Sequence, residues 1–243
     1  MKKILIIPLL FVLLASSCSK NDYFNDSGTH RPNFDGNMME YFNAHAKDST
    51  SLFDSLITII KLAELETTVS NEQITFFAPT DPSIGKAVKS LNNRLFSTGQ
   101  DTIKYLSEID SRAWKRILQG YIIKGDLGLV DFPQVDTLDI NAFGGRLYQS
   151  LDTDLIVNVG AVYHDLKNGN VVIKYKGPRQ LLLSFIPDMS RPTSSWRNAY
   201  VASSNIQPTN GRLHVLRFYD HQFGFTESRF TDLVLEYGIN YKD

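Results

Sequence analysis

The chain predicts an α+β domain, with helices mainly in its N-terminal half and a β-sheet or sandwich in its C-terminal half. Three observations carry this. Apolar residues recur at helical spacing between residues 38 and 119. From Tyr121 onward the pattern changes to short apolar runs separated by turn signals such as Asn168-Gly169-Asn170 and Lys176-Gly177-Pro178. The two patterns are segregated rather than alternating, which argues for α+β. At 243 residues, 42% hydrophobic and 21% charged, the chain has a globular composition and the length of one large domain or two small ones.

The first segment reads as an export signal. Lys2 and Lys3 precede the apolar run Ile4–Leu14, and the small residues Ala15, Ser16 and Ser17 follow. The run is too short for a membrane-spanning helix, which needs about 20 residues. Cys18, the only cysteine, comes next. Ala15-Ser16-Ser17-Cys18 resembles the bacterial lipobox, with Leu14 one place further back than usual. That resemblance implies cleavage after residue 17 and acylation of Cys18, palmitate included, and two or more acyl chains anchor a protein stably. Residues 18–36 are polar and turn-rich and predict a flexible tether with a reach of about 23 Å. The expectation is an exported protein, lipid-anchored to the outer membrane and displayed at the cell surface.

Residues 38–47 allow a short helix with Met39, Phe42 and Ala46 on one stripe. A stronger helix follows Asp48-Ser49-Thr50, with Phe53, Leu56, Ile57, Ile60 and Ala63 at helical spacing. Ile74–Ala78 is a short apolar run of β-formers and predicts a buried strand. Pro79 ends it, and Thr80 or Asp81 caps a helix with Pro82 at its first position. Residues 101–109 and 111–119 read as helices, the second turning Trp114, Ile117 and Leu118 to the core. Strands are predicted at 120–123, 137–140, 146–151, 155–159, 170–175, 180–186, 199–203 and 212–218. The tail 221–243 contains Phe223, Phe225, Phe230, Leu233 and Val234, a composition that allows either a packed helix or a docking segment.

Several chemistries are excluded or lack a signal. A single cysteine permits no internal disulfide and no cysteine-based zinc site. A net charge of −1 argues against a nucleic-acid partner. No metal-binding, phosphate-binding or nucleophile-elbow motif is present, so no catalytic residue, metal or cofactor is expected. His164-Asp165 reads as a solvated turn, and Asp152 and Asp154 read as turn acids. The best ligand-binding candidate is a long loop, 187–198, with Arg191, Trp196, Arg197 and the nearby Tyr200, whose aromatic and arginine content suits recognition. The competing reading packs Trp196 over the sheet.

Two stretches carry a family resemblance. Thr75-Phe76-Phe77-Ala78-Pro79-Thr80-Asp81 resembles the first signature of the fasciclin domain. Asn210-Gly211-Arg212-Leu213-His214-Val215-Leu216 resembles the second, about 135 residues later. The resemblance covers residues 37–220 and implies a fasciclin-like fold in which Thr75, Phe77, Ala78, Pro79, Thr80, Asp81, Asn210, Gly211 and His214 are structural. His214 alternates with Leu213 and Val215 and is expected to be a buried framework residue. The chain departs from the family pattern at Gly120 and Tyr121, where Tyr-His is common, and at Arg217, where an Asp is usual, so integrin binding is not carried over. The stretch from 155 to 205 is longer than a minimal domain needs and predicts an extra β-hairpin over 170–186.

Lipobox and fasciclin domain together resemble surface lipoproteins of the Bacteroidetes group. What this implies is a non-enzymatic binding or adhesion module. Its partners would be an envelope protein, a glycan or extracellular matrix, with a role beside surface glycan uptake. The alternatives are a carbohydrate-active or esterase-like enzyme on the same scaffold, and a purely structural envelope protein.

Overall fold

The structure, a computed structural model, describes residues 32–46, 51–152 and 154–241. The export signal, Cys18, the first part of the tether and the predicted cap Asp48-Ser49-Thr50 lie outside the described residues. Residues Pro32–Asp243 form a compact unit of their own, with a core drawn from residues 38–234.

Three helices open the unit: α1 (Met38–His45), α2 (Asp54–Leu62) and α3 (Glu66–Asn71). A reciprocal cap starts α1: the Asn37 side chain accepts from the Glu40 N–H, and the Glu40 carboxylate accepts from the Asn37 N–H. Strand β1 (Ile74–Ala78) follows, buried along its whole length. Phe76 meets Phe42 of α1 at 5.8 Å, while Phe77 meets Phe132 at 6.0 Å. The two adjacent side chains thus reach different neighbours, as alternation along a strand requires. Helix α4 (Asp81–Ser97) begins with Pro82 in its first turn and buries Ile84, Ala87, Leu91 and Leu95, a stripe at spacings of three and four.

Helix α5 (Ser111–Gln119) buries Trp114, Ile117 and Leu118, as its periodicity predicts. The remaining strands are β2 (Ile122–Lys124), β3 (Gln134–Val135), β4 (Arg146–Gln149), β5 (Ile156–Tyr163), β6 (Leu166–Asn168), β7 (Val171–Ile173), β8 (Arg179–Phe185), β9 (Arg197–Ile206) and β10 (Gly211–Leu216). Helix α6 (Glu227–Tyr237) closes the chain. The main sheet runs β2-β1-β10-β9-β8-β5-β3, with β4 also on β5, and β6-β7 stand apart as a separate pair. The sheet curls until its ends meet: Ile123 bridges Ser150, and the Leu151 N–H donates to Ile122 O at 2.8 Å. A curl of this kind removes much of the exposed edge that an open sheet would present.

The two signature strands are direct neighbours. β1 and β10 pair in parallel, with Phe77 opposite His214 and Ala78 opposite Val215. Asn210 locks this junction. Its Oδ1 accepts from the Met38 N–H at 2.8 Å, and its Nδ2 donates to Val69 O at 2.9 Å and Glu72 O at 3.1 Å. One side chain thereby satisfies the start of α1 and the end of α3. Asn210→Ala should cost about 3 kcal/mol, since the two part-buried partners it abandons, Met38 N–H and Val69 O, cost roughly 1–3 kcal/mol each. Chemical denaturation will show the loss, and an unchanged midpoint would contradict it.

Four sequence expectations are corrected. The predicted helix 101–109 is a loop with one 3-10 turn at Leu106–Glu108, because the buried Glu108 carboxylate accepts the Lys104 and Tyr105 N–H groups. The predicted strand 137–140 is a turn. Asp136 and Asp139 side chains accept the Leu138 and Ala142 N–H groups, and this local bonding competes with a ladder. The predicted hairpin 170–186 is two different things: a small hairpin, β6–β7, and then β8, which lies inside the main sheet between β5 and β9. Residues 32–36, assigned to the tether, are tied to the β9–β10 turn: Gln207 N–H donates to Pro32 O, Phe34 N–H to Gln207 O and Thr209 N–H to Gly36 O.

Candidate functional site: a two-arginine cleft beside the C-terminal helix

Of the tail, residues 221–237 turn inward. Phe223 and Phe230 pack on Trp114 with ring centroids 6.2 and 5.9 Å away. Tyr121 stacks on Phe225 at 4.5 Å, and Phe225 stacks on Phe185 at 5.3 Å. Tyr121 occupies the place where the fasciclin pattern departs, and its hydroxyl accepts the Gly224 N–H at 2.7 Å and lies 3.1 Å from His221 Nε2. It is fully buried, and burial pushes its phenol well above the ordinary value. Thr226 caps α6 by accepting the Arg229 N–H.

This docking brings Arg229 to Asp152. The guanidinium lies 3.4 Å from the carboxylate and sits over the Phe185 and Phe225 rings at 5.7 and 5.9 Å. Arg116 of α5 approaches the same Asp152 at 3.6 Å, reaches Asp154 at 2.9 Å and donates to the Tyr237 hydroxyl at 3.2 Å. Burial lowers the Arg229 pKa from its ordinary value; the Tyr121 and Asp152 groups oppose that shift. Asp152 is 7% exposed and Asp154 is 74% exposed, so adjacent acids play different parts. Asp152 holds the two arginines together, and Asp154 stands at the rim.

Around this triad opens a cleft of about 460 Å³. Phe185, Pro187 and Met189 form one wall; Ser228, Asp232, Leu233 and Glu236 of α6 form the other. One apolar wall facing six charged side chains can bind and orient a polar ligand or a partner's side chain. Asp152 is already engaged by both arginines. Among the described residues no group of three His, Cys, Asp or Glu could hold a metal ion, and no helix is long and apolar enough to cross a membrane.

The loop expected to bind ligand borders this cleft but does not gather its residues there. Arg191 pairs with Asp188 at 2.9 Å, and the Trp196 indole N–H donates to Pro192 O at 2.6 Å. Arg197 opens β9 opposite Phe185. Tyr200 lies under the Arg217 guanidinium at 4.8 Å, and Arg217 also pairs with Asp220. Only the start of the loop, Pro187 and Met189, lines the cleft. Sequence reading missed Arg116 and Arg229. They lie on helices more than a hundred residues apart, and no motif links either to Asp152.

The signature residues occupy framework positions. Thr75 Oγ1 donates to Gly125 O at 2.7 Å and accepts the Leu127 N–H at 2.9 Å. Asp81 accepts the Ser55 and Leu56 N–H groups at 3.0 and 3.1 Å and so caps α2 from a distance. Thr80 flanks α4 with its hydroxyl buried, and Pro79 separates strand from helix. His214 is fully buried. Its Nδ1 accepts the Asn205 N–H at 3.2 Å, which leaves the proton on Nε2 to donate to Leu127 O at 3.0 Å. Burial lowers its pKa to about 4.

Comparison with known proteins agrees with this framework. The fasciclin domain matches residues 51–217, and the chain belongs to the fasciclin domain family. No curated protein matches. Among solved structures, the chain is similar to the FAS1 domain pair of the insect cell adhesion molecule fasciclin I, at 13% identity and a TM-score of 0.34. The match covers 74% of this chain and 44% of that one, so the chain spans less than half the length of that relative. Fasciclin domains are cell-adhesion and binding modules.

Proposed function

We propose that this protein is a lipid-anchored envelope lipoprotein that displays one fasciclin domain as a non-enzymatic binding module, and that the two-arginine cleft is its contact site. Acylation at Cys18 would hold it to the outer membrane, facing the cell surface. The lipobox-like residues before Cys18 support the anchor. The observation that carries the binding role is the Arg229–Asp152–Arg116 triad on a floor of Phe185 and Phe225, open to solvent beside Met189 and Leu233. Its fixed charges would orient a partner while the apolar wall supplies contact area. An envelope protein, matrix component or surface glycan suits this wall, and a role beside glycan uptake follows from the resemblance to Bacteroidetes surface lipoproteins.

The test is capture of partners from the native envelope by the lipidated protein, paired with a glycan array. Met189→Glu and Asp154→Lys change the rim without entering the core and should each lower binding about tenfold or more. Binding that survives both substitutions unchanged would remove the cleft from the mechanism. Labelling with a radioactive palmitate precursor, lost in Cys18→Ser, tests the anchor separately.

A further inference from the structure

The hairpin β6–β7 contributes nothing to the core. It rises from the β5–β8 connection and joins no strand of the main sheet, and all six of its strand residues are exposed. Cross-strand pairs set its faces: Leu166 opposes Ile173 and Asn168 opposes Val171, so these share one face, while Lys167 and Val172 share the other. Apolar side chains therefore stand in solvent on both faces, with Val171 60% and Val172 51% exposed. Leu138, in the turn that holds Asp136, is 96% exposed. An isolated two-stranded hairpin is marginal in water, and this one is braced. The Tyr175 hydroxyl donates to Asp136 at 3.0 Å, its ring meets Phe143 edge-on at 5.5 Å, and the Tyr175 N–H donates to Asp165.

Its charge is opposite in sign to that of the chain. Between His164 and Arg179 stand Lys167, Lys174, Lys176 and Arg179 against one acid, Asp165, while the whole chain carries −1. Lys174 bridges Asp165 at 3.1 Å and Asp136 reaches Tyr175 from the neighbouring turn, which leaves Lys167 and Lys176 as the lysines beside the apolar strand residues. The arm also lies at a particular end of the sheet. Tyr163 pairs with Arg179, and β9 finishes at Ile206 on that same end. There Asn33 bridges Gln207.

We propose that the β6–β7 hairpin is a membrane-contact arm that sets Val171, Val172 and Ile173, behind its Asn168-Gly169-Asn170 turn, into an anionic phospholipid surface while its lysines pair with headgroups. Apolar residues ringed by lysine are the composition of interfacial binding, and each lysine near such a surface adds about fivefold to affinity. A second copy is disfavoured, because arm against arm sets like charges together. A single protein partner would cover one face of the hairpin and leave the other wet, whereas a bilayer surface meets both faces of an inserted hairpin. The inference is independent of acylation at Cys18, because residues 32–243 carry the arm and lack that cysteine.

The experiment uses residues 32–243, the compact unit, with vesicles of phosphatidylcholine alone or mixed with phosphatidylglycerol. The protein should sediment with the mixed vesicles and not with the neutral ones, and added salt should weaken the binding. Replacing Lys167, Lys174 and Lys176 by glutamine should lower affinity about a hundredfold. Val172→Asp with Ile173→Asp should abolish it at an unchanged melting temperature. An environment-sensitive dye on Val172→Cys should shift to the blue on mixed vesicles, and the same dye on Ser97→Cys should not. Equal binding to both vesicle types, retention by the Asp variant, a silent Val172 dye, or self-association through the arm would each overturn the proposal.

Discussion

Gly211→Ala should cost about 3 kcal/mol or more and lower the melting temperature by about 10 °C, at the severe end for a single substitution. Gly211 has φ +137°, which L residues rarely adopt, and a Cβ there would lie 2.0 Å from Ile74 O and 3.0 Å from Ile74 C and N. Those atoms belong to the backbone of β1, the partner of β10 at this very residue. Relief would require moving one signature strand away from the other. Gly99 provides the comparison: it also has positive φ, +72°, but nothing lies within 4 Å of its would-be Cβ. Gly99→Ala should therefore cost only about 1 kcal/mol, from backbone strain alone. Thermal unfolding of both variants side by side checks this, and equal losses would mean that the strand contact is not what confines Gly211.

Acidification from pH 7 to pH 5 should remove about 4 kcal/mol of stability through two buried histidines. Burial lowers His214 to about 4 and His221 to about 3, each from an ordinary value of 6.5. The unfolded chain therefore takes up protons near pH 6.5 that the folded chain refuses until far lower pH. Their contribution is fully present above pH 6.5 and is lost as pH falls toward the folded values, at about 1.4 kcal/mol per unit and per histidine. His214→Gln should roughly halve the slope between pH 7 and pH 5. Urea denaturation at several pH values measures it, and a flat profile over that window would show that both rings are reached by water. Since burial holds His214 neutral against the opposing pull of Leu127 O, and the Asn205 N–H occupies its Nδ1, its place in the second signature is explained by packing rather than by proton transfer.

Much of the framework was legible because its signals are local. The unbroken apolar run Ile74–Ala78 marks a strand covered on both sides, and it is buried throughout. Thr80-Asp81-Pro82 marks a helix start, and α4 begins there. Where local bonding by an acidic side chain outcompeted pattern, reading failed: Glu108 broke the helix predicted at 101–109, and Asp136 and Asp139 turned a predicted strand. The hairpin was placed in the right insertion but in the wrong register along it. The Val and Leu runs of β7 and β8 look alike, and only sheet pairing separates an exposed strand from a central one.

The candidate site was not legible. Arg116, Asp152 and Arg229 carry no spacing that identifies them, and Asp152 read as a turn acid like its neighbour Asp154. The inward turn of residues 221–237 brings the three together, and that turn depends on Tyr121, Phe223, Phe225 and Phe230 finding Trp114 and Phe185.

By itself the sequence determined the α+β class, the two signature strands and the helices that flank the first of them. These are consequences of side-chain period and of short-range hydrogen bonding, which act over a few residues. Tertiary structure alone decided that the tail is core, that Asp81 caps a helix it does not belong to, and that one aspartate of a pair is buried between two arginines. Those outcomes follow from which distant surfaces exclude water together. Burial of a charge is tolerated only where its partner arrives with it, and no pattern within a single element records that meeting.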